Sequence, residues 1–249
     1  MQTKQLDVKT PDGACDTFIA YPDESRPYPA VILFMDAFGP RPYLHEMAQT
    51  LAARGYYVLL PNMFYRVRRA PVVDAQFPVR AEALPEIRKQ FGPLFSSLTP
   101  ELSMKDAGAF LEFLAQQSQV RPGKVGVTGY CMGGALALRT AAQFPDRIAA
   151  AASFHGGNLA SETPNSPHLL IPRMKAEIYV AHADNDQSMP SEQMTRLRSA
   201  LEASGLRFEA EVYPGAAHGF VMADLPAYQE AALKRHWEKL FALFERTLS

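Results

Sequence analysis

Cysteine is almost absent from this chain: 249 residues hold two, Cys15 and Cys131, far apart and in unlike surroundings. That excludes a disulfide framework, and two thiols without histidines at ligand spacing cannot build a structural zinc site. Long apolar runs are missing too, since none reaches the ~18 residues of a membrane span. The polar opening Met-Gln-Thr-Lys-Gln-Leu-Asp-Val-Lys-Thr, broken by Pro11-Asp12-Gly13, carries no apolar core of a signal peptide. Nor is there a block of like charge. The 25 basic and 26 acidic residues leave a net charge of −1, so binding to nucleic acid or to an anionic membrane has no electrostatic support. Neither a Gly-x-Gly-x-x-Gly fingerprint nor a Gly-Lys-Ser/Thr phosphate loop occurs in the cluster Gly129–Gly134. These absences lead to an expectation of no metal, no cofactor and a reducing, cytoplasmic setting in which a thiol stays free for chemistry.

What is present suits a globular enzyme. Hydrophobic content of 47% and charged content of 20% are ordinary for a soluble domain. Val8–Tyr21 reads as a hairpin around Pro11-Asp12-Gly13, and Ala30–Met35 as a β-branched strand covered on both faces. Thereafter strand and helix patterns alternate. Helices are expected at Tyr43–Arg54, Leu102–Gln117, Met132–Gln143, Pro190–Ser204 and Ala227–Leu248. Strands are expected at Tyr56–Leu60, Lys124–Thr128, Ile148–Phe154, Glu177–Ala181 and Phe208–Tyr213. Such alternation implies an α/β fold with a mostly parallel central sheet and helices on both faces, in one domain over 1–249. Residues 62–100, rich in proline and arginine, interrupt the alternation. They read either as a lid or substrate-binding excursion or as a solvated segment with a helix of its own.

Chemistry concentrates at strand ends. Gly129-Tyr130-Cys131-Met132-Gly133-Gly134 follows a strand and opens a helix, the Gly-x-nucleophile-x-Gly elbow with cysteine where serine is commoner. Glycines are needed because the chain reverses sharply there and side chains at the flanking positions would clash. Cys131 then sits at a helix N-terminus, where backbone amides and a nearby imidazolium favour thiolate over thiol. The Met132 N–H is expected to form half of an oxyanion hole, with the other donor from the loop near Asp36-Ala37-Phe38-Gly39.

An elbow predicts an acid and then a histidine further along the chain. His182-Ala183-Asp184-Asn185-Asp186 follows the strand Glu177–Ala181, and Pro214-Gly215-Ala216-Ala217-His218-Gly219 follows Phe208–Tyr213. His218 is expected to shuttle protons while an aspartate orients its ring. Asp186 is favoured over Asp184, which reads as a turn or capping residue. Among the other histidines, His155 follows a strand in Phe154-His155-Gly156-Gly157 and is placed near the cleft. His45, His168, His182 and His236 have weaker claims.

These segments resemble the dienelactone hydrolase (carboxymethylenebutenolidase) family of α/β-hydrolases. Gly-Tyr-Cys-Met-Gly-Gly is close to that family's elbow, Asp186–Pro190 and Pro214–Phe220 to its acid and histidine segments, and Ala30–Arg66 to its first half. The resemblance implies the α/β-hydrolase fold and hydrolysis of a small ester or lactone through an acyl-thioester on Cys131. It assigns Asp186 and His218 to a triad, and the backbone of Met132 and Ala37 to the oxyanion hole. At the position of a family glutamate that takes part in thiol activation the chain carries Asp36, one methylene shorter. Asp36 therefore reads either as that activating or substrate-binding residue or as an orienter of the loop that holds Ala37. Four residues after His218, where the family binds a substrate carboxylate with arginine, stands Met222. A neutral or differently shaped ester, lactone or thioester is then as compatible as the dienelactone, with arginines between Arg66 and Arg88 as possible substitutes. A redox-sensing or non-catalytic role for Cys131, and acyl transfer by the same triad, stand as alternatives. The expected assembly is a monomer or small homo-oligomer.

Overall fold

Short runs of apolar, β-branched residues have no polar face to leave in water, so they persist as strands covered from both sides. In the computed structural model, which describes residues 1–24 and 26–249, three such runs are buried along their whole length. They are β3 (Ala30–Phe34), β4 (Tyr57–Pro61) and β5 (Val125–Tyr130). With β1 (Gln2–Thr10), β2 (Gly13–Tyr21), β6 (Ile148–Phe154), β7 (Glu177–Asn185) and β8 (Phe208–Ala217) they form one eight-stranded sheet. Its order is β1-β2-β4-β3-β5-β6-β7-β8. The strands from β4 to β8 pair in parallel, while β1–β2 and β2–β4 pair antiparallel.

Helices connect the parallel strands and cover both faces of the sheet. These are α1 (Pro42–Ala53), α2 (Leu84–Arg88), α3 (Phe91–Ser96), α4 (Pro100–Ala115), α5 (Met132–Gln143), α6 (Ser191–Ser204) and α7 (Glu230–Thr247). The apolar stripe of α1 is Leu44, Met47, Ala48, Leu51 and Ala52, and all five are buried. No helix among the described residues is long and apolar enough to cross a membrane.

Three departures from the expected elements matter. β1 begins at Gln2 rather than Val8, because backbone pairing continues from Thr10↔Gly13 to Gln2↔Tyr21 through an exposed edge whose side chains carry no apolar signal. β7 and β8 also run past their apolar cores. After a register shift their pairing ends at Asn185↔Ala217, which sets the next residues, Asp186 and His218, side by side. Finally, residues 62–100 carry two short helices of their own, α2 and α3, and many exposed side chains, yet the segment is anchored to the body of the protein. Val72 lies against Gly39, Phe38 meets Phe77 and Phe91 edge-on, and the Val79 N–H donates to the Asp224 carbonyl at 2.9 Å. The excursion thus rests on the loops that follow β3 and β8.

Candidate active site

Between β5 and α5 the chain turns within one residue. Cys131 adopts φ 55° and ψ −120°, in the region L side chains rarely occupy. Two glycines make that turn possible by close approach. A Cβ on Gly133 would stand 2.5 Å from the carbonyl oxygens of both Phe34 and Met35, and one on Gly129 would run into the Gly133 carbonyl. The first turn of α5 therefore rests directly on the end of β3, and the loop after β3 hangs beside Cys131.

The amide of Cys131 donates to the Phe154 carbonyl and to His155 Nδ1, each at 3.1 Å. Since Nδ1 accepts, the neutral ring of His155 carries its proton on Nε2, which is buried with no partner among the described residues. Burial pushes the pKa of His155 well below its ordinary value, and the neighbouring His218 pushes the same way.

His218 lies opposite, its Nδ1 2.6 Å from Asp186 Oδ2. Asp186 is held in turn by Ser188, whose hydroxyl (2.6 Å) and N–H (2.9 Å) both donate to Oδ1. Burial alone would raise the carboxyl pKa of Asp186, but the bonds to His218 and Ser188 more than offset it, and the net shift is downward. Burial alone would likewise lower His218. The Cys131 sulfur, through charge and a hydrogen bond, and the Asp186 carboxylate instead raise it to about 10. Of the two candidate aspartates only Asp186 reaches the ring. Asp184 Oδ2 accepts the Gly215 N–H at 2.9 Å and ties the end of β7 to the end of β8.

The loop after β3 has one amide to offer. The Phe38 N–H donates to Asp36 Oδ1 (3.0 Å) and the Gly39 N–H to the Asp36 carbonyl (3.1 Å). Between them the Ala37 N–H has no partner among the described residues. On the elbow side Met132 is the first residue of α5, so its N–H has no intrahelical acceptor.

Asp36 is buried, and its carboxylate is bonded to Arg41 and to Phe38, not to the thiol. Arg41, 4% exposed, is the residue sequence reasoning missed. It uses all five of its N–H donors, on Asp36 Oδ1 (2.7 Å) and Oδ2 (2.9 Å), Asp224 Oδ2 (2.6 Å) and Oδ1 (3.1 Å), and the Gly39 carbonyl (3.2 Å). Burial alone would lower the guanidinium pKa, but the two carboxylates more than offset it and keep the charge on. No helical or strand period brings position 41 together with 36 and 224, so the local sequence carried no signal for it.

Other candidates fall away from the site. Arg66 pairs with Asp106 and Asp12, Arg68 with Asp74 and Arg69 with Asp7. Met222 is fully buried. His236 is a core residue, bonded to the Tyr130 hydroxyl at 2.8 Å, and His182 is buried in β7. Cys15 is fully enclosed, and burial pushes its thiol up to about 12. Among the described residues no cluster of three or more His, Cys, Asp or Glu side chains could hold a metal ion.

A model of the "Dienelactone hydrolase family" matches residues 15–248. A "Putative carboxymethylenebutenolidase" of Methylorubrum extorquens is 25% identical over 239 residues, covering 94% of this chain and 78% of that protein. The carboxymethylenebutenolidase of Rhodococcus opacus is 27% identical over 222 residues, covering 88% and 81%. Among solved structures, the "Putative Dienelactone Hydrolase" of Klebsiella pneumoniae superposes with a TM-score of 0.86 at 22% identity, over 98% of each chain.

Proposed function

The chain belongs to the dienelactone hydrolase family of α/β-hydrolases, and on that premise we propose that it cleaves a small ester or lactone through an acyl-thioester on Cys131. The observation that carries this reading is the placement of Cys131 on the strained turn between β5 and α5 together with His218, whose Nδ1 lies 2.6 Å from Asp186 and whose pKa, against the opposing effect of burial, is raised to about 10 by the sulfur and that carboxylate. Transfer of the thiol proton to His218 gives the thiolate and imidazolium that such a nucleophile and acid require.

In the first half-reaction the sulfur attacks the carbonyl carbon, and the π electrons move onto oxygen. The N–H groups of Met132 and Ala37, neither with an acceptor among the described residues, are the donors assigned to that developing charge. As the tetrahedral species collapses, the C–O bond to the leaving group breaks and His218 gives its Nε2 proton to the departing alkoxide. The product is the Cys131 thioester and an alcohol, which in a lactone stays tethered.

The second half-reaction uses a change of charge. Acylation removes the thiolate that raised His218, so burial weighs more heavily and the ring, now neutral, is a competent base. It takes a proton from water, the hydroxide adds to the thioester carbon, and collapse expels the thiolate and releases the carboxylic acid, which gives its proton to solvent. Asp186, fixed by Ser188, keeps Nδ1–H pointed inward so that Nε2 faces the sulfur throughout.

The test is an initial-rate comparison on a carboxylate-bearing dienelactone and on a neutral aryl ester, with Cys131→Ala as blank, and mass analysis of the quenched enzyme. Cys131-dependent release of product and an acyl adduct on that residue support the reading. Undiminished turnover in Cys131→Ala, or no Cys131-dependent turnover of either compound, would overturn it.

A further inference from the structure

We propose that Arg41, gripped between Asp36 and Asp224, is the positioning residue of the oxyanion hole, clamping the loop that carries Ala37 to the loop that follows His218. The inference rests on the reading of the site above and adds three residues to it. Asp36 and Gly39 belong to the first loop, and Arg41 binds both, by a two-bond fork to the carboxylate and by one bond to the carbonyl. Asp224 belongs to the second loop, six residues after His218, and receives the other two bonds. All three side chains are buried.

A buried ion cluster is a poor source of net stability, because desolvating the charges costs about as much as their attraction returns. What it does supply is direction. Five N–H bonds on one planar guanidinium fix both partners in distance and angle, which no apolar contact does. Asp36 then passes that order to the backbone, since the oxygen held by Arg41 Nη1 also accepts the Phe38 N–H. The Ala37 amide lies between the fixed carboxylate and the fixed Phe38 amide, so its direction follows. Tyr43, two residues past Arg41, makes a second tie by donating its hydroxyl to the Val221 carbonyl at 2.8 Å. Phe38 and Phe77 cover the guanidinium at 5.5 and 5.2 Å, which shields the clamp from water.

This assigns Asp36 a task other than activating the thiol, and two reactions of the same sulfur separate the tasks. Acylation by a neutral aryl ester builds charge on a carbonyl oxygen and needs the hole. Alkylation by iodoacetamide displaces iodide at a saturated carbon and needs only the thiolate. Asp224→Asn keeps the shape and weakens the grip; Arg41→Lys keeps the charge and loses the fork. Both are expected to lower the acylation rate constant at least tenfold with KM within twofold. Alkylation rate and its pH profile should stay within twofold of wild type. Amide exchange reads the clamp without any chemistry: residues 37–39 should exchange at least tenfold faster in Asp224→Asn, with α5 unchanged.

The inference fails if alkylation falls in step with acylation, for Asp36 would then act on the thiol. It fails equally if Asp224→Asn leaves both acylation and the exchange of residues 37–39 at wild-type values. A wild-type enzyme that ester does not acylate at Cys131 would overturn the proposed function, while the exchange measurement would still decide the clamp.

Discussion

The rings of His155 and His218 stand 5.2 Å apart, edge to face, and their surroundings push their pKa values in opposite directions. Burial and the cationic neighbour hold His155 neutral, whereas Cys131 and Asp186 hold His218 protonated. A second imidazolium at that distance would oppose the first. It would also lose the bond that His155 Nδ1 accepts from the Cys131 amide. The neutral ring is therefore part of what lets the charged one exist.

The first prediction concerns this pair. Followed by NMR, His218 should titrate near 10, with His155 remaining the neutral Nε2–H form while His218 titrates. In Cys131→Ala the negative charge that favours the imidazolium is gone and burial remains, so His218 should titrate well below that value. An unchanged titration in the variant would show that the sulfur is not the cause of the shift.

The choice of acid is testable by a matched pair. Asp186→Asn replaces the acceptor 2.6 Å from His218 Nδ1 and lets the ring adopt the wrong tautomer, so kcat should fall roughly 10³–10⁴-fold. Asp184→Asn alters one exposed bond to the Gly215 N–H and should leave kcat within about threefold, with stability changed by less than about 1 kcal/mol. Comparable losses in the two variants would remove the distinction between them.

The elbow and the histidine loop were legible in the sequence because each needs a fixed local pattern at a strand end. The glycines at 129 and 133 are set by contacts within a few residues of Cys131 and with the neighbouring strand β3. Two things were not legible. The clamp joins positions 36, 41 and 224, and only the folded sheet brings them together. The pairing that sets Asp186 beside His218 is made by backbone hydrogen bonds beyond the apolar cores of β7 and β8, where side-chain pattern says nothing. Two of the arginines in residues 62–100 are engaged in a similarly non-local way. Arg66, Arg68 and Arg69 have carboxylate partners, and two of those three find them in the N-terminal hairpin.

Ser188 should prove a positioning residue for the acid. Its hydroxyl gives Asp186 Oδ1 a 2.6 Å bond that Ser188→Ala deletes, while the 2.9 Å bond from its N–H survives. A charge-assisted bond of this kind is worth roughly 1.5–3 kcal/mol, so kcat should fall about tenfold or somewhat more with little change in KM. Loss of the Ser188 hydroxyl also removes a bond that lowers the Asp186 pKa, so the carboxyl should titrate higher in the variant. Wild-type kcat in Ser188→Ala would mean that the N–H bond alone fixes the carboxylate.

Two glycine substitutions separate strain from collision. Gly205, at the end of α6, has φ 71° and nothing within 4 Å of where a Cβ would stand. Gly205→Ala should cost only the left-handed backbone strain, about 1–2 kcal/mol, and leave activity per folded molecule unchanged. Gly133 has a φ any residue can adopt, but its Cβ would lie 2.5 Å from the main-chain oxygens of Phe34, which ends β3, and of Met35, which follows it. Those main-chain atoms at the end of the central sheet cannot rotate away, so Gly133→Ala must push α5 off β3 and carry the Met132 amide with it. The loss should reach at least about 3 kcal/mol in urea unfolding, the upper end of ordinary overpacking. Any folded remainder should be slow in acylation, because the distance between the two oxyanion donors has changed. If Gly133→Ala were instead as stable as Gly205→Ala, the close contact between elbow and sheet would not be what shapes the site.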